Sequence, residues 1–447
     1  MFDEKSLFSK GQKCLESERY ELAIESFTEA IEINNRFTEA FFARGNAYRL
    51  LGRLDEAVED YRSVLCYSPN EPAAYYNMGI VFRAKEEIDT AIEYYSKAIE
   101  VRTGYVAARF NRAKLYYNYK NNKEAAIADL NAAIESDPTD TASLVERGIL
   151  LANEKKYEQA LRDFDKALEA NPDCIEAIGN RGNVLESKGL KAEAIQCYGR
   201  VIELAPNDVK GYRNRAIVYF GEGNYEKAIQ DYTVTIGLDT KDATARLNRG
   251  ISYMAYKKLD EAIEDYNRVL ELEPNSIEAH FCRGLAFTQQ KKQQEAINDF
   301  NTTIELDPEH CRAYYSRGVA YGALGETDKA IEDYSKALEL EPEVPKYYCH
   351  RGVACTKIGK FQQAIEDYGK AIEIDPKYAK AFFNRGLVYR ILKDNDKAVE
   401  DLTEAIRLNP ANVNSYYNRA SAFEQMGKKA EAVKDLKQAK KILAAKA

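Results

Sequence analysis

Apolar and polar positions along this chain follow the period of an α-helix, in stretches of about 14 residues split by short polar turns. The stretches come in pairs, and the pair repeats. Numbering each pair from a small residue set as position 8 places Gly11, Gly45, Gly79, Ala113, Gly148, Gly182, Ala216, Gly250, Gly284, Gly318, Gly352, Gly386 and Ala420 there. The step is 34 residues, except for one of 35 between Ala113 and Gly148, where the extra residue falls within Asn118–Ala126. Position 20 is alanine in all thirteen units, from Ala23 to Ala432, and position 24 is aromatic or leucine throughout. Position 32 is proline in nine units.

Each pair predicts two antiparallel helices. Small side chains at positions 8 and 20 let them approach closely, and bulky residues at 4, 11 and 24 fill the space between them. Proline at 32 ends the second helix, because it cannot continue the hydrogen-bond ladder. One such hairpin cannot bury its apolar face alone, but stacked neighbours can. The expected fold is all-α: one right-handed superhelical solenoid over residues 4–446 in place of several globular domains.

These residues carry a resemblance to the tetratricopeptide repeat (TPR) family over essentially the whole chain. Two departures stand out. The family's tryptophan at position 4 is absent, since the chain has no Trp; Tyr416, Phe382 and Tyr348 are among its replacements. The family's leucine at position 7 is usually arginine here. Arginine fills it in eleven units, from Arg44 to Arg419, and aspartate fills position 23 in ten, from Asp60 to Asp435. Every unit with the Asp has the Arg, and the unit of Gly79 has neither, with Met78 and Tyr94 instead. A partly buried guanidinium needs a partner that fits its fork. The arginine of position 7 is therefore expected to pair with the aspartate of position 23, within a unit or next to it. An anion-binding arginine ladder is the functional alternative.

Position 6 is asparagine in seven units: Asn77, Asn111, Asn180, Asn214, Asn248, Asn384 and Asn418. Asparagine inside a helix costs roughly 0.6 kcal/mol relative to alanine, so the recurrence needs a reason. In the TPR family the first helices line a concave groove, with positions 2, 5, 6, 9, 12 and 13 facing inward. The resemblance therefore implies that these amides could hold the backbone of an extended peptide without reading its sequence. In that respect the array resembles the asparagine-lined superhelix of O-linked N-acetylglucosamine transferase. The alternative is that each amide bonds a neighbouring helix and orders the stack. Position 5 adds aromatics: Phe42, Tyr76, Phe110, Phe281, Tyr315, Phe383 and Tyr417. Aliphatic residues at position 9, such as Ile149 and Leu387, would complete an apolar floor. The chaperone-type TPR clamp for a C-terminal carboxylate is not matched. Asparagine fills position 9 only at Asn46 and Asn183, beside Phe42 and Gly179 where that clamp has lysine.

Bulk properties narrow the partners. A net charge of −8 does not suit nonspecific binding to nucleic acid, and no run approaches the roughly 18 apolar residues of a membrane helix. The N-terminal "MFDEKSLFSKGQKC" carries acidic residues and has no apolar core, unlike a signal peptide. Eight cysteines without a CxxC pair fit free thiols in a reducing compartment. His280, His310 and His350 each have a nearby cysteine, but His280 and His350 lie two units apart, too far for one metal site. No Walker loop, GxSxG or HExxH is present.

At the C-terminus Lys440 replaces the Leu or Ile of position 28, which would make the last helix its own cap, with Lys434, Lys437, Lys441 and Lys446 as a basic tail. At the N-terminus Phe2, Leu7 and Phe8 are expected to stay partly exposed and to permit end-to-end self-association. The joints at Val101–Tyr105 and Leu238–Asp242, which lack proline, and the one-residue insertion are expected hinges. The expected role is a non-catalytic, cofactor-free, cytoplasmic scaffold that binds other proteins. A structural component of a ciliary or microtubule-associated assembly, with a cytoskeletal location, is the alternative. A targeting subunit of an enzyme complex is a third reading.

Overall fold

The structure, a computed structural model, describes residues 3–444. Its described residues form 26 helices, numbered α1 to α26 in chain order, with odd numbers for the first helix of each hairpin. They gather into two compact units, one up to Val218 and one from Tyr219, and the division falls inside α13 (Val209–Gly221). The first unit holds six complete hairpins, from α1 (Glu4–Glu16) to α12 (Lys191–Leu204). The second also holds six, from α15 (Ala243–Ala255) to α26 (Lys429–Ala444).

Most first helices are 13 residues long and most second helices 14, as the pattern predicts. Pro72 and Pro345 occupy the first turns of α5 (Pro72–Ala84) and α21 (Pro345–Lys357), where a missing N–H is harmless. Position 15 of the turn adopts a left-handed conformation. Glycine supplies it at Gly52, Gly189, Gly325, Gly359 and Gly427, while Glu18, Glu86, Lys155, Lys257, Lys291 and Lys393 hold φ near +60° with a side chain present. The extra residue of the fourth unit lengthens α7 (Val106–Lys120) to 15 residues, and the helix ends on left-handed Asn121.

The hairpins lock through size. Alanine at position 20 is fully buried in unit after unit, as at Ala57, Ala160, Ala262 and Ala364. Glycine at position 8 takes the ring of position 24 against its backbone. A Cβ on Gly79 would lie 2.5 Å from Tyr95 Cε1, and one on Gly148 would lie 2.6 Å from Phe164 Cε1. Where position 24 is the smaller Leu130 or Leu436, position 8 carries the Cβ of Ala113 or Ala420, and one unit, with Ala216 and Tyr232, holds both a Cβ and a ring.

The arginines pair within their own hairpins. Nine of them, at 44, 112, 147, 249, 283, 317, 351, 385 and 419, donate from Nε and Nη2 to both oxygens of the position-23 aspartate at 2.6–3.0 Å. In most of these units Nη1 crosses to position 25 of the preceding hairpin. Its acceptors include Thr28, Ser96, Asn131 and Ser335. One side chain thus ties two helices of its own hairpin to the neighbour behind it. The hydrogen bonds to Asp401 hold the Arg385 guanidinium above its usual range, against the pull of burial.

The ends depart from expectation at one residue. Leu7 is buried at 5% exposure, covered by Ala30 and Ala40. Phe8 is half-buried against Phe27 and Phe37, with ring centroids 5.6 and 5.0 Å apart. Leu7 is not left exposed, because α2 (Tyr20–Ile33) and α3 (Thr38–Leu50) close over it, whereas Phe8 stays partly exposed as expected; Phe2 lies outside the described residues. Lys440 is exposed on α26, as are Lys434, Lys437 and Lys441, and Lys446 lies outside the described residues.

Candidate functional site

The inward positions of the first helices, as the repeat register defines them, form a series of clefts. One near the start of the chain has a volume of about 650 Å³. Position 5 supplies Phe8 and Phe42, position 9 Gln12 and Asn46, and position 12 Leu15. Glu39 and Ala43 from α3 and Val64 from α4 (Leu54–Tyr67) complete most of the wall, with Glu71 at the start of α5. The floor is apolar and the rim carries two carboxylates. Asn46 is oriented by Tyr61, whose hydroxyl donates to Asn46 Oδ1 at 2.8 Å; this turns the amide N–H₂ away from Tyr61. Smaller clefts repeat the arrangement. One of about 180 Å³ contains Ile149, Asn180 and Asn183, and one of about 260 Å³ contains Val319, His350 and Val353.

The seven position-6 asparagines differ in what they do. Three donate across to the preceding hairpin: Asn111 Nδ2 to Tyr76 Oη at 2.9 Å, Asn214 Nδ2 to Asn183 Oδ1 at 3.1 Å, and Asn384 Nδ2 to Cys349 Sγ at 3.6 Å. Two turn back on their own helices: Asn180 to the Glu176 carbonyl and Asn418 to the Asn414 carbonyl. Asn77 is buried at 9% exposure, and Asn248 is half-buried. Among the aromatics, Phe42 lines the large cleft, while Tyr76, Phe110, Tyr315 and Phe383 are half-buried and Tyr417 is exposed. Phe281 is a correction. At 2% exposure it packs in the core against Phe300 and under the His310 ring, and the Arg312 guanidinium closes over it 4.9 Å from the ring centroid. Sequence reasoning passed over Gln12, Asn46 and Glu39. Their signal was the same register at positions 9 and 2, without the repetition that drew attention to position 6.

His350 stands where other units have asparagine. Its Nδ1 donates to the Lys346 carbonyl at 2.8 Å, and the Tyr315 hydroxyl lies 3.3 Å from Nε2. Burial holds its pKa below the ordinary 6.5, helped by the charges of Lys346 and Lys380. The folded state therefore takes up this proton later than the unfolded chain as pH falls. The stability it contributes is present above 6.5 and is lost as pH drops through the lower folded value. Urea midpoints measured from pH 8 to pH 5 should fall further for the wild type than for His350→Asn. Parallel pH profiles would contradict this.

Among the described residues no group of three His, Cys, Asp or Glu side chains could hold a metal ion. Burial pushes the Cys282 thiol up to about 12, the opposite of what a nucleophile requires. No helix among the described residues is long and apolar enough to cross a membrane.

Models described as tetratricopeptide repeat match residues 4–37, 72–102, 106–140, 145–209, 197–230, 311–344 and 413–442. A further model, described as TPR repeat, matches 45–83, 252–291, 284–325, 354–390 and 387–427. No curated protein is significantly similar to the chain. Similar solved structures include the APC/C hetero-tetramer Cut9-Hcn1, 16% identical over 98% of this chain and 94% of its own, with a TM-score of 0.42. YrrB, described as a TPR protein with an unusual peptide-binding site, is 23% identical over 41% of this chain and 95% of its own, with a TM-score of 0.37. MamA from Desulfovibrio magneticus RS-1 is 26% identical over 38% of this chain and 96% of its own, with a TM-score of 0.37. The 34-residue period, the paired helices and these matches from residue 4 to residue 442 agree: the chain belongs to the tetratricopeptide repeat family.

Proposed function

We propose that this chain is a non-catalytic protein-interaction scaffold whose first helices hold an extended segment of another protein. The observation that carries the reading is the cleft of about 650 Å³ built by positions 2, 5, 6, 9 and 12 near the N-terminus. Phe8, Leu15 and Phe42 offer a floor for one large apolar side chain, and Glu39 offers a rim for a basic neighbour. The Asn46 amide, held by Tyr61, supplies donors for a backbone carbonyl. The position-6 asparagines extend this chemistry. Asn111 and Asn384 each spend an N–H on the stack, and each amide still has a carbonyl oxygen that can accept from a peptide N–H.

The test begins with selection of peptides from a random library on the full chain and titration calorimetry of the best binders. Selected peptides should pair a large apolar residue with Lys or Arg. Phe42→Ala should weaken them about tenfold or more, the loss expected for one well-seated apolar contact. Glu39→Lys should reduce affinity in a salt-dependent way. Unchanged affinity in both variants would remove the cleft from the function.

A further inference from the structure

The hairpin turns of the second unit form a surface that adjoins the first-helix clefts, with Lys357 at the edge of the cleft of about 260 Å³. In several turns of the chain, most of them in the first unit, position 14 is polar and bridges to position 18 of the preceding turn. Lys85 meets Asp55 at 2.9 Å, Lys188 meets Glu158 at 2.5 Å, and Gln290 meets Asp260 at 2.7 Å. These bridges show that successive turns sit side by side. In three consecutive units the same position holds Leu324, Ile358 and Leu392. They are 45%, 37% and 48% exposed, and Ile391 beside Leu392 is 49% exposed. Asp328 and Asp396, at the position that receives the bridge elsewhere, stand exposed, and position 14 of the following turns holds Ile358 and Met426. A bridge has been exchanged for a row of bare aliphatic side chains, and contiguous exposed apolar surface of this kind marks an interaction site.

The same turns carry cations. Lys357, Lys360, Lys393, Lys428 and Lys429 are all exposed and make no salt bridge among the described residues, in a chain whose net charge is −8. Lys393 is placed there on a left-handed backbone with φ of 62°, a conformation that glycine adopts in the flanking turns at Gly359 and Gly427.

We infer that this turn edge docks an acidic amphipathic helix of a partner protein, with its apolar stripe on Leu324, Ile358, Ile391 and Leu392 and its carboxylates on the lysines. Spacing supports a helix. Hairpins packed side by side lie about 10 Å apart, and a helix rises about 10.5 Å over seven residues, so leucines one heptad apart meet successive turns. Charge complementarity supports an acidic one. The exposed row of Leu324, Ile358 and Leu392 argues against a continuous polyanion, which has no apolar stripe to cover it. The exposed row is aliphatic, without the aromatic anchors of a bilayer interface.

The experiment uses the full chain and a fluorescent synthetic helix of three heptads, with leucine on one face and glutamate on the flanks. Its counterpart has every glutamate replaced by lysine. Fluorescence anisotropy should show the glutamate helix binding at least about tenfold more tightly, with several-fold weakening between low and high salt. The pair Ile391→Asp and Leu392→Asp, both at exposed sites, should cut the affinity at least about tenfold while leaving the far-UV circular dichroism unchanged. Lys357→Glu, Lys360→Glu and Lys393→Glu together should reverse the preference between the two helices. Equal binding of both helices, no binding of either, or binding that survives the Asp pair overturns the inference. So does loss of binding in Phe42→Ala, which would assign the peptide to the N-terminal cleft. Sedimentation with phosphatidylserine vesicles that the charge reversal abolishes would replace the partner helix with a membrane.

Discussion

Replacing Asp367 with alanine removes about 2 to 3 kcal/mol of stability from the hairpin of α21 and α22 (Phe361–Ile374). Asp367 is 3% exposed and accepts from Arg351 Nε at 3.0 Å and Nη2 at 2.7 Å. Truncation strands a guanidinium whose side chain is only 19% exposed, and an uncompensated buried charge is far costlier than the pair is stabilising. The residual solvent access of Arg351 places the effect at the low end of that class. The loss should extend into the preceding hairpin, because Arg351 Nη1 also donates to Ser335 Oγ at 3.1 Å. Hydrogen exchange read helix by helix is the suitable measurement, since a repeat array opens in parts. Amides of α21, α22 and the second helix of the preceding hairpin should lose protection while distant hairpins keep theirs. Removing both partners, with Arg351→Met and Asp367→Leu, should restore most of it. A change under about 0.5 kcal/mol, the range of an ordinary surface substitution, would contradict the staple. Recovery of Asp367→Ala by added phosphate would support the anion-ladder reading instead.

The staple was legible in the sequence because its two members covary along the chain itself. Where position 23 loses its aspartate, at Cys197, the arginine of that unit keeps only a long bond from Nη1 to Cys197 Sγ at 3.4 Å and finds its carboxylate elsewhere. Arg181 Nε donates to Asp165 Oδ1 at 2.7 Å, and Asp165 occupies position 25 of the preceding unit. Where the arginine itself is missing, at Met78, position 25 behind it is Arg62 in place of an acceptor. Both substitutions can be seen in the sequence once the third contact is known. Two-body reasoning about Arg and Asp did not look sixteen residues upstream. The left-handed turn at position 15 was hidden for another reason. Glycine announces it in some units, but Glu18, Lys257 and Lys393 adopt it at their own cost. The site was less legible than the frame. Asn111, Asn214 and Asn384 choose their partners from the neighbouring hairpin, and these are Tyr76 and Cys349 at position 5 but Asn183 at position 9. No single spacing encodes that choice. Burial of Phe281 and Leu7 likewise depends on which bulky neighbour closes over them, while periodicity reports only which face they share.

The second large effect concerns the ring that position 24 lays on position 8. Phe164→Ala should destabilise its hairpin by about 3 to 4 kcal/mol, because a fully buried ring is removed and the helices around it relax only in part. Gly148→Ala should destabilise by about 1 to 3 kcal/mol through overpacking, since its Cβ would lie 2.6 Å from Phe164 Cε1. The two positions should then be strongly coupled. In a Phe164→Leu background the space once filled by the ring edge is open, and the added Cβ of Gly148→Ala should find room. It should also recover the roughly 1 kcal/mol by which alanine exceeds glycine in a helix. The chain already contains this combination in its units with Ala113 and Leu130 and with Ala420 and Leu436. A third unit, with Gly386 and Leu402, leaves a Cβ 3.0 Å from Leu402 Cγ, with the flexible leucine free to give way. A double-mutant cycle on Gly148 and Phe164, read from urea midpoints and exchange of α9 (Thr141–Asn153) and α10 (Tyr157–Ala170), should yield a favourable coupling of about 2 kcal/mol. Additive single effects would mean that the helices move apart to admit the methyl group. Glycine at position 8 would then reflect something other than the ring pressed against it.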